Sequence, residues 1–406
     1  DFPQQNALSL PLDKVSQQGN KVHFEVLPSP RTAIFDGELQ GADKMAGAFE
    51  QSGYKGTFGL QRKAKTTEAA SYKEEEVKFQ NGSVTLAGSL TLPAGAGPYP
   101  AVVLISGSGA QNRNEEIFGF PIFRVLADHL TRQGIAVLRY DDRGLGGSSA
   151  GSPADTSETY AGDVLAAVQY LKTRGEINPK KIGLLGHSEG GIIAPMVAVR
   201  SMDVAFIILM SGPGLPGRQV LVEQSRLILK AEGTAEAEID KQSALQQQAI
   251  EAGLTGKGWD EVKAAMRQEY EAAWEKISEA DRKNLGDKAT WVEKNIQAQV
   301  AAMESPWMKF FLAYDPAPTL AKVTVPALAL FGGLDLQVGA ESNRAAIKQA
   351  MDKGGNKDYT EKVFPDANHL YQSAKTGSPG EYASLKAEFT AGFLDAISQW
   401  ILAHAK

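Results

Sequence analysis

The sequence contains no cysteine. Disulfides, thiolate catalysis and cysteine-based metal sites are therefore excluded, and a cysteine-free chain suits an oxidising compartment. Long apolar runs are absent too. The longest, such as residues 204–210, fall far short of the roughly 20 residues that a membrane-spanning helix needs. No block of Lys or Arg stands out and the net charge is −6, which excludes the electrostatic footprint of a nucleic-acid or anionic-membrane partner. Histidine is scarce, with five in 406 residues, so any histidine-dependent chemistry can be traced by elimination. Glycine is plentiful at 41 residues, and 43% hydrophobic content is enough to fill the cores of two or three domains. The chain begins Asp-Phe-Pro-Gln-Gln without Met, which fits a mature terminus left by signal-peptide removal.

Along the chain the hydrophobic period changes twice. Residues 1–64 alternate at period two, over 21–27, 32–39 and 54–60, with Pro and Gly between the runs, and are expected to form a small antiparallel β module. Residues 65–76 are charged and short of large apolar side chains, as a linker would be. From residue 77 to 216, strand-like runs at 83–93, 101–105, 135–139, 181–185 and 205–210 alternate with helical patterns at 121–133 and 159–173. Such alternation predicts an α/β fold, a mostly parallel sheet with helices on both faces. Residues 217–305 break the pattern with an Ala-, Glu-, Gln-, Lys- and Leu-rich stretch at helical spacing, expected to be a helical cap packed by Trp259, Trp274 and Trp291. The α/β pattern resumes over 306–406, with strands near 325–331 and 357–364 and a last helix over 382–405.

Gly186-His187-Ser188-Glu189-Gly190 stands between an apolar strand and an apolar helix. Gly-x-Ser-x-Gly in that setting is a nucleophile elbow: the turn is too tight for side chains at its flanks, and Ser188 stands at its apex beside a helix N-terminus. N–H groups and the helix dipole there favour the negative charge that develops in acyl transfer. Without that setting, a glycine-rich turn would be the plainer reading.

A serine hydroxyl needs a base, normally a histidine oriented by a carboxylate, in the chain order Ser, acid, His. His23 lies in the β module, His129 in a helix before the elbow, and His404 in the terminal helix, where it is expected to be solvated. His187 adjoins Ser188, but its side chain must leave the turn in another direction. His369 remains, in a loop directly after a strand. Asp335 follows Phe331-Gly332-Gly333-Leu334 at a strand tip and is the expected acid; helix capping is its alternative role. Asp366, three residues before His369, is the second candidate and reads better as a turn residue.

The oxyanion donors are expected to be the N–H of Glu189 and an N–H of the loop Ser106-Gly107-Ser108-Gly109-Ala110-Gln111, with Ser108 first and Gly109 next. Gly107 and Gly109 let backbone approach substrate, and Trp307 and Phe311 are candidates to line an acyl pocket or pack the core. A phosphate cradle is the competing reading of this loop, but no Lys-Ser/Thr completes it. Asn112, Arg113 and Glu115 are expected to brace the loop. Tyr140-Asp141-Asp142-Arg143-Gly144 reads as a braced turn, since Arg143 adjoins the paired carboxylates and no histidine is near to make a metal site.

Together these residues resemble the α/β-hydrolase superfamily. The likeness is to bacterial two-domain carboxylesterases with a β-rich N-terminal module, a Ser-Gly-Ser-Gly-x-Gln oxyanion loop (residues 106–111), a Gly-His-Ser-x-Gly-Gly elbow (186–191) and a C-terminal Asn-His-Leu (368–370). The resemblance covers about residues 77–406. It implies an α/β-hydrolase fold and hydrolysis of a small-molecule carboxylic ester, of short acyl chain, through Ser188, His369 and Asp335 without a cofactor or metal. It also implies a periplasmic or secreted location. The Ser106-Gly107 opening departs from the His-Gly of many lipases. A serine peptidase or amidase with the same triad is the alternative, and an envelope- or glycan-binding protein using the β module is a third. Exposed β edges in that module leave a homodimer open.

Overall fold

Period-two alternation near the N-terminus builds five strands in a meander: β1 (Leu12–Gln18), β2 (Lys21–Val26), β3 (Ala33–Leu39), β4 (Lys44–Gln51) and β5 (Tyr54–Gln61), each antiparallel to the next. Phe24, Phe35 and Phe49 stand directly opposite one another across β2, β3 and β4, so the pleat puts all three on one face. Phe24 stacks on Phe35 at 4.8 Å, and Phe58 meets both edge-on. This aromatic cluster is the module's core. The computed structural model describes residues 12–26, 33–51, 54–61 and 72–405. It divides into two compact units, the first being residues 1–70 with 277–286 and the second the remainder.

The second unit opens with an antiparallel pair, β6 (Tyr72–Asn81) and β7 (Val84–Pro93), followed by β8 (Tyr99–Ile105), a two-residue hairpin of β9 (Glu116–Ile117) and β10 (Phe120–Pro121), and α1 (Ile122–Arg132). Next come β11 (Ala136–Tyr140), α2 (Ser157–Lys172), β12 (Ile177–His187), α3 (Gly190–Ala198) and β13 (Phe206–Met210). Six helices then run in succession: α4 (Gly217–Ala231), α5 (Glu236–Thr255), α6 (Trp259–Lys276), α7 (Glu279–Leu285), α8 (Lys288–Glu304) and α9 (Pro306–Ala313). Of these, α7 belongs to the first unit. Short α10 (Ala317–Leu320) leads to β14 (Ala327–Gly332), α11 (Ala340–Gly354), β15 (Tyr359–Phe364) and α12 (Phe393–His404). Among the described residues no helix is long and apolar enough to cross a membrane.

Eight strands form one sheet in the order β15-β14-β13-β12-β8-β11-β7-β6. Pairing is parallel from β15 to β11 and antiparallel at β7 and β6. This is the mostly parallel α/β sheet expected from the alternation and the α/β-hydrolase fold that the resemblance implies, with the antiparallel β module preceding it in the chain. Strands β8, β11, β13 and β14 are buried on both faces, so their sequences are continuous apolar runs. Successive residues serve opposite cores: Leu184 and Ile207 point to one face, Leu185 and Ile208 to the other. Each such side chain contributes about 1.5–3 kcal/mol by leaving water. The helical insertion has its own core, with Trp259, Val262, Met266 and Ile296 buried together.

Three local expectations are corrected. Residues 72–76, expected as linker, belong to β6; residues 65–71 of that linker lie outside the described residues. The strand was masked because it lies at the sheet edge and carries charge, and Glu75 and Glu76 pair with Arg174 and Arg113 from neighbouring elements. The strand into the elbow starts at Ile177 rather than residue 181, its pairing with β8 interrupted between Ile177 and Ile182. His404 is only partly solvated: it stacks on Trp400 at 4.1 Å and hydrogen-bonds that residue's carbonyl at 2.8 Å.

What the fold does for the site is concentrated where β12 turns into α3. A Cβ added to Gly186 would stand 1.9 Å from the carbonyl oxygen of Gly190, and one on Gly190 would stand 2.2 Å from that of Ile105 on β8. Both contacts are with backbone, which cannot swing aside. Gly186→Ala should therefore destabilise the protein by about 3 kcal/mol or more, the range of overpacking against fixed backbone. Urea unfolding followed by circular dichroism would measure this, and an unchanged midpoint would refute the packing account.

Candidate active site

Ser188 has φ +52°, a left-handed backbone that an L-residue adopts only when its surroundings impose it. Its N–H donates to the carbonyl of Met210 on β13 at 2.9 Å, and the Gly191 N–H donates back to its carbonyl. The hydroxyl has no hydrogen-bond partner among the described residues. Gly107 stands beside it: a Cβ there would come within 3.2 Å of the Ser188 Cβ.

The tips of β14 and β15 bring Asp335 and His369 together. Asp335 Oδ2 lies 2.8 Å from His369 Nδ1, and Oδ1 accepts the N–H groups of Gln337 and Val338, each at 2.9 Å. Both side chains are buried. Burial alone would raise the Asp335 pKa, but the facing imidazole's charge and hydrogen bond, the Val338 N–H and the Ser211 hydroxyl outweigh it and hold the carboxyl below its ordinary value. An ionised Asp335 puts the His369 proton on Nδ1 and leaves Nε2 as the acceptor. Asp366 takes no such part; its carbonyl accepts the N–H of Ala374 in the loop turn.

The loop after β8 is fastened from below. Gly107 N–H donates to Glu115 Oε1 at 2.6 Å, so it is already occupied. The Ser106 hydroxyl and the Gln111 N–H both donate to Asp142, at 2.9 and 2.8 Å. Arg113 clamps Asp141 through two nitrogens, and Arg143 spans Asp155 and Asp163. The Asp-Asp-Arg turn and the Asn112–Glu115 segment thus act as braces. Neither the N–H of Ser108 nor that of Glu189 has a partner among the described residues, and Glu189 caps α3. Gly109 has φ +86° and open space about it.

The Glu189 side chain is buried and accepts hydrogen bonds from the Ser157 hydroxyl at 2.5 Å and from Trp307 Nε1 at 2.9 Å. Burial pushes its pKa up; Ser157, Trp307 and Ser108 pull the other way without cancelling it. Trp307 stacks on Phe311 at 5.7 Å, so α9 is fixed to the elbow through one indole. Ser211, Tyr371 and Ser157 were not anticipated. Ser211 Oγ and the Tyr371 hydroxyl are hydrogen-bonded at 3.1 Å, and each residue has a left-handed backbone in a loop after a strand tip. Ser211 directly follows an apolar strand, and that strand-tip position was the available signal; Tyr371 and Ser157 carry none.

With this geometry in place, comparisons with known proteins give the class. A model of the alpha/beta hydrolase family matches residues 102–384, and the chain belongs to that family. Esterase EstD of Thermotoga maritima is 27% identical over 362 residues, covering 88% of this chain and 74% of its own length. Among solved structures, an esterase of Pyrococcus furiosus is 14% identical, with TM-score 0.48 over 74% of this chain and 85% of its own. A proline iminopeptidase of Mycobacterium smegmatis is 17% identical, with TM-score 0.47 over 82% of this chain and 99% of its own.

Asp142 supplies a pH test. Burial pushes its carboxyl up to about 7, the Gln111 N–H and Ser106 hydroxyl only partly opposing, and Glu115 and Glu189 add repulsion. A carboxyl raised on folding stabilises the native state at low pH, and that contribution is lost as pH rises from the unfolded value near ~4 through about 7. Asp142→Asn should flatten this loss. The wild type should lose more Tm than the variant between pH 5 and pH 8, and parallel Tm profiles would refute it.

Proposed function

We propose that the protein is a serine carboxylesterase that cleaves short-chain esters through an acyl-enzyme on Ser188. The observations that support this reading are the left-handed backbone of a half-buried Ser188 at the β12–α3 turn and His369 Nδ1 held 2.8 Å from Asp335 on adjoining strand tips. His369 Nε2 takes the Ser188 proton as the oxygen attacks the ester carbonyl. The N–H groups of Glu189 and Ser108 donate to the oxyanion, and His369 then gives its proton to the leaving alcohol. Water, deprotonated by the same imidazole, releases the acid and restores Ser188. Asp335 holds the imidazole tautomer and stabilises the imidazolium. The resting Ser188 hydroxyl being unbonded fits a nucleophile–base contact that tightens only with substrate.

In this reading residues 217–305 form a cap over the strand tips, flanked by core segments 77–216 and 306–406, and the Trp307–Phe311 pair forms one wall of the acyl pocket. Gly107 and Gly109 give the substrate room at the oxyanion loop. No step calls on a metal or cofactor. The esterase name of the Thermotoga relative supports the ester over the amide alternative, and the likeness of the N-terminal module to segments of exported bacterial hydrolases supports a periplasmic or secreted location. A homodimer through the β module and a binding role for it remain subordinate proposals.

Hydrolysis of p-nitrophenyl esters from acetate to palmitate should peak at short chains. Ser188→Ala should abolish turnover, and Asp335→Asn should lower kcat by about 10⁴-fold by leaving the imidazole in the wrong tautomer. Turnover of aminoacyl amides with none of the esters would move the reading to an amidase.

A further inference from the structure

His187, the neighbour of the nucleophile, is buried with its ring between two acceptors. Its Nδ1 lies 2.9 Å from Glu115 Oε1, and its Nε2 lies 3.0 Å from the carbonyl oxygen of His369. The same Glu115 oxygen accepts the Gly107 N–H at 2.6 Å. Glu115 is fully buried, sits on a left-handed backbone at φ +44°, and its second oxygen has no hydrogen-bond partner among the described residues. A buried carboxylate with one idle oxygen and a strained backbone is costly. The catalytic scheme uses neither residue.

What they do is join three loops that approach from different strands. A single chain of hydrogen bonds runs from the oxyanion loop at Gly107, through Glu115, to the elbow at His187, and on to the base loop at His369. Both ends touch the proposed machinery: Gly107 packs against Ser188, and the His369 carbonyl belongs to the residue whose ring is the base. The His187 and His369 rings lie 4.8 Å apart at 42°. The ionisable groups about His187 are Glu115, His369 and Asp335.

We propose that Glu115 and His187 form a second buried pair of positioning residues, which holds the oxyanion loop and the His369 loop in register with Ser188 and so sets kcat rather than substrate affinity. The pair rests on the triad reading above and extends it. Its logic is geometric: a misplacement of about 1 Å among reacting groups can cost 10²-fold in rate.

The test measures kcat and KM on p-nitrophenyl acetate, with active sites counted by stoichiometric reaction with a fluorophosphonate and folding followed by thermal melting. Glu115→Ala should lower kcat per counted site by about 100-fold, the scale of such misplacement, with KM little changed. Glu115→Gln keeps, in the place of Oε1, an oxygen that accepts both the Gly107 N–H and the His187 Nδ1–H, with its amide NH2 in the place of the second oxygen, so it still ties the oxyanion loop to the elbow and should recover part of the loss. A merely structural role would reduce the number of counted sites and leave kcat per site intact, which overturns the proposal; so does a glutamine variant as impaired as the alanine one. Should Glu115→Ala not fold, His187→Asn decides, since it keeps the contact with Glu115 but cannot reach the His369 carbonyl. An unchanged kcat per site in that variant overturns the proposal. Turnover surviving in Ser188→Ala, measured in parallel, would instead overturn the triad itself.

Discussion

Backbone contact at one turn governs the rest of the molecule. Gly186, Gly190 and Gly191 let β12 fold straight back into α3, with Gly191 packed against Gly212 after β13 and Gly190 against the end of β8. Only this closeness can hold Ser188 at φ +52°, and only a sheet with buried parallel strands on both sides can enforce the closeness. Side-chain packing above and below the sheet contributes most of the stability. Its consequence for chemistry, however, is delivered through a few ångströms of peptide.

Around that turn the protein separates its buried carboxyl groups by environment. Asp335 is given two N–H donors, an imidazole and a hydroxyl, and its ionised form prevails over burial. Asp142 and Glu189 receive fewer or weaker donors for their depth and are pushed the other way. A carboxylate that faces an imidazole is thereby distinguished from carboxyl groups that only receive hydrogen bonds from loop and helix. Glu189 has two tasks on one residue, capping α3 and tying α9 to the elbow through Trp307.

The fold and the candidate triad were legible in the sequence because each had a periodic or positional signature. Continuous apolar runs of strands such as β13 and β14 announced a sheet covered on both faces, and glycines flanking Ser188 announced the turn. His369 emerged by elimination among five histidines, and Asp335 from its place after a strand and two glycines. β6 was hidden because its charges pair with arginines distant in sequence, as Glu75 does with Arg174. The Glu115–His187 contact was hidden for the same reason: the partners lie 72 residues apart, and neither spacing nor period links them. His187 was set aside as a candidate base, and its burial facing Glu115 is visible only in three dimensions.

The most direct test of the account is covalent. A fluorophosphonate should react stoichiometrically with the wild-type protein, and peptide mass mapping should find the adduct on Ser188, with His369→Ala losing the reaction while staying folded. An adduct on another residue, or equal labelling in the His369 variant, would contradict a nucleophile at the elbow activated by the His369–Asp335 pair.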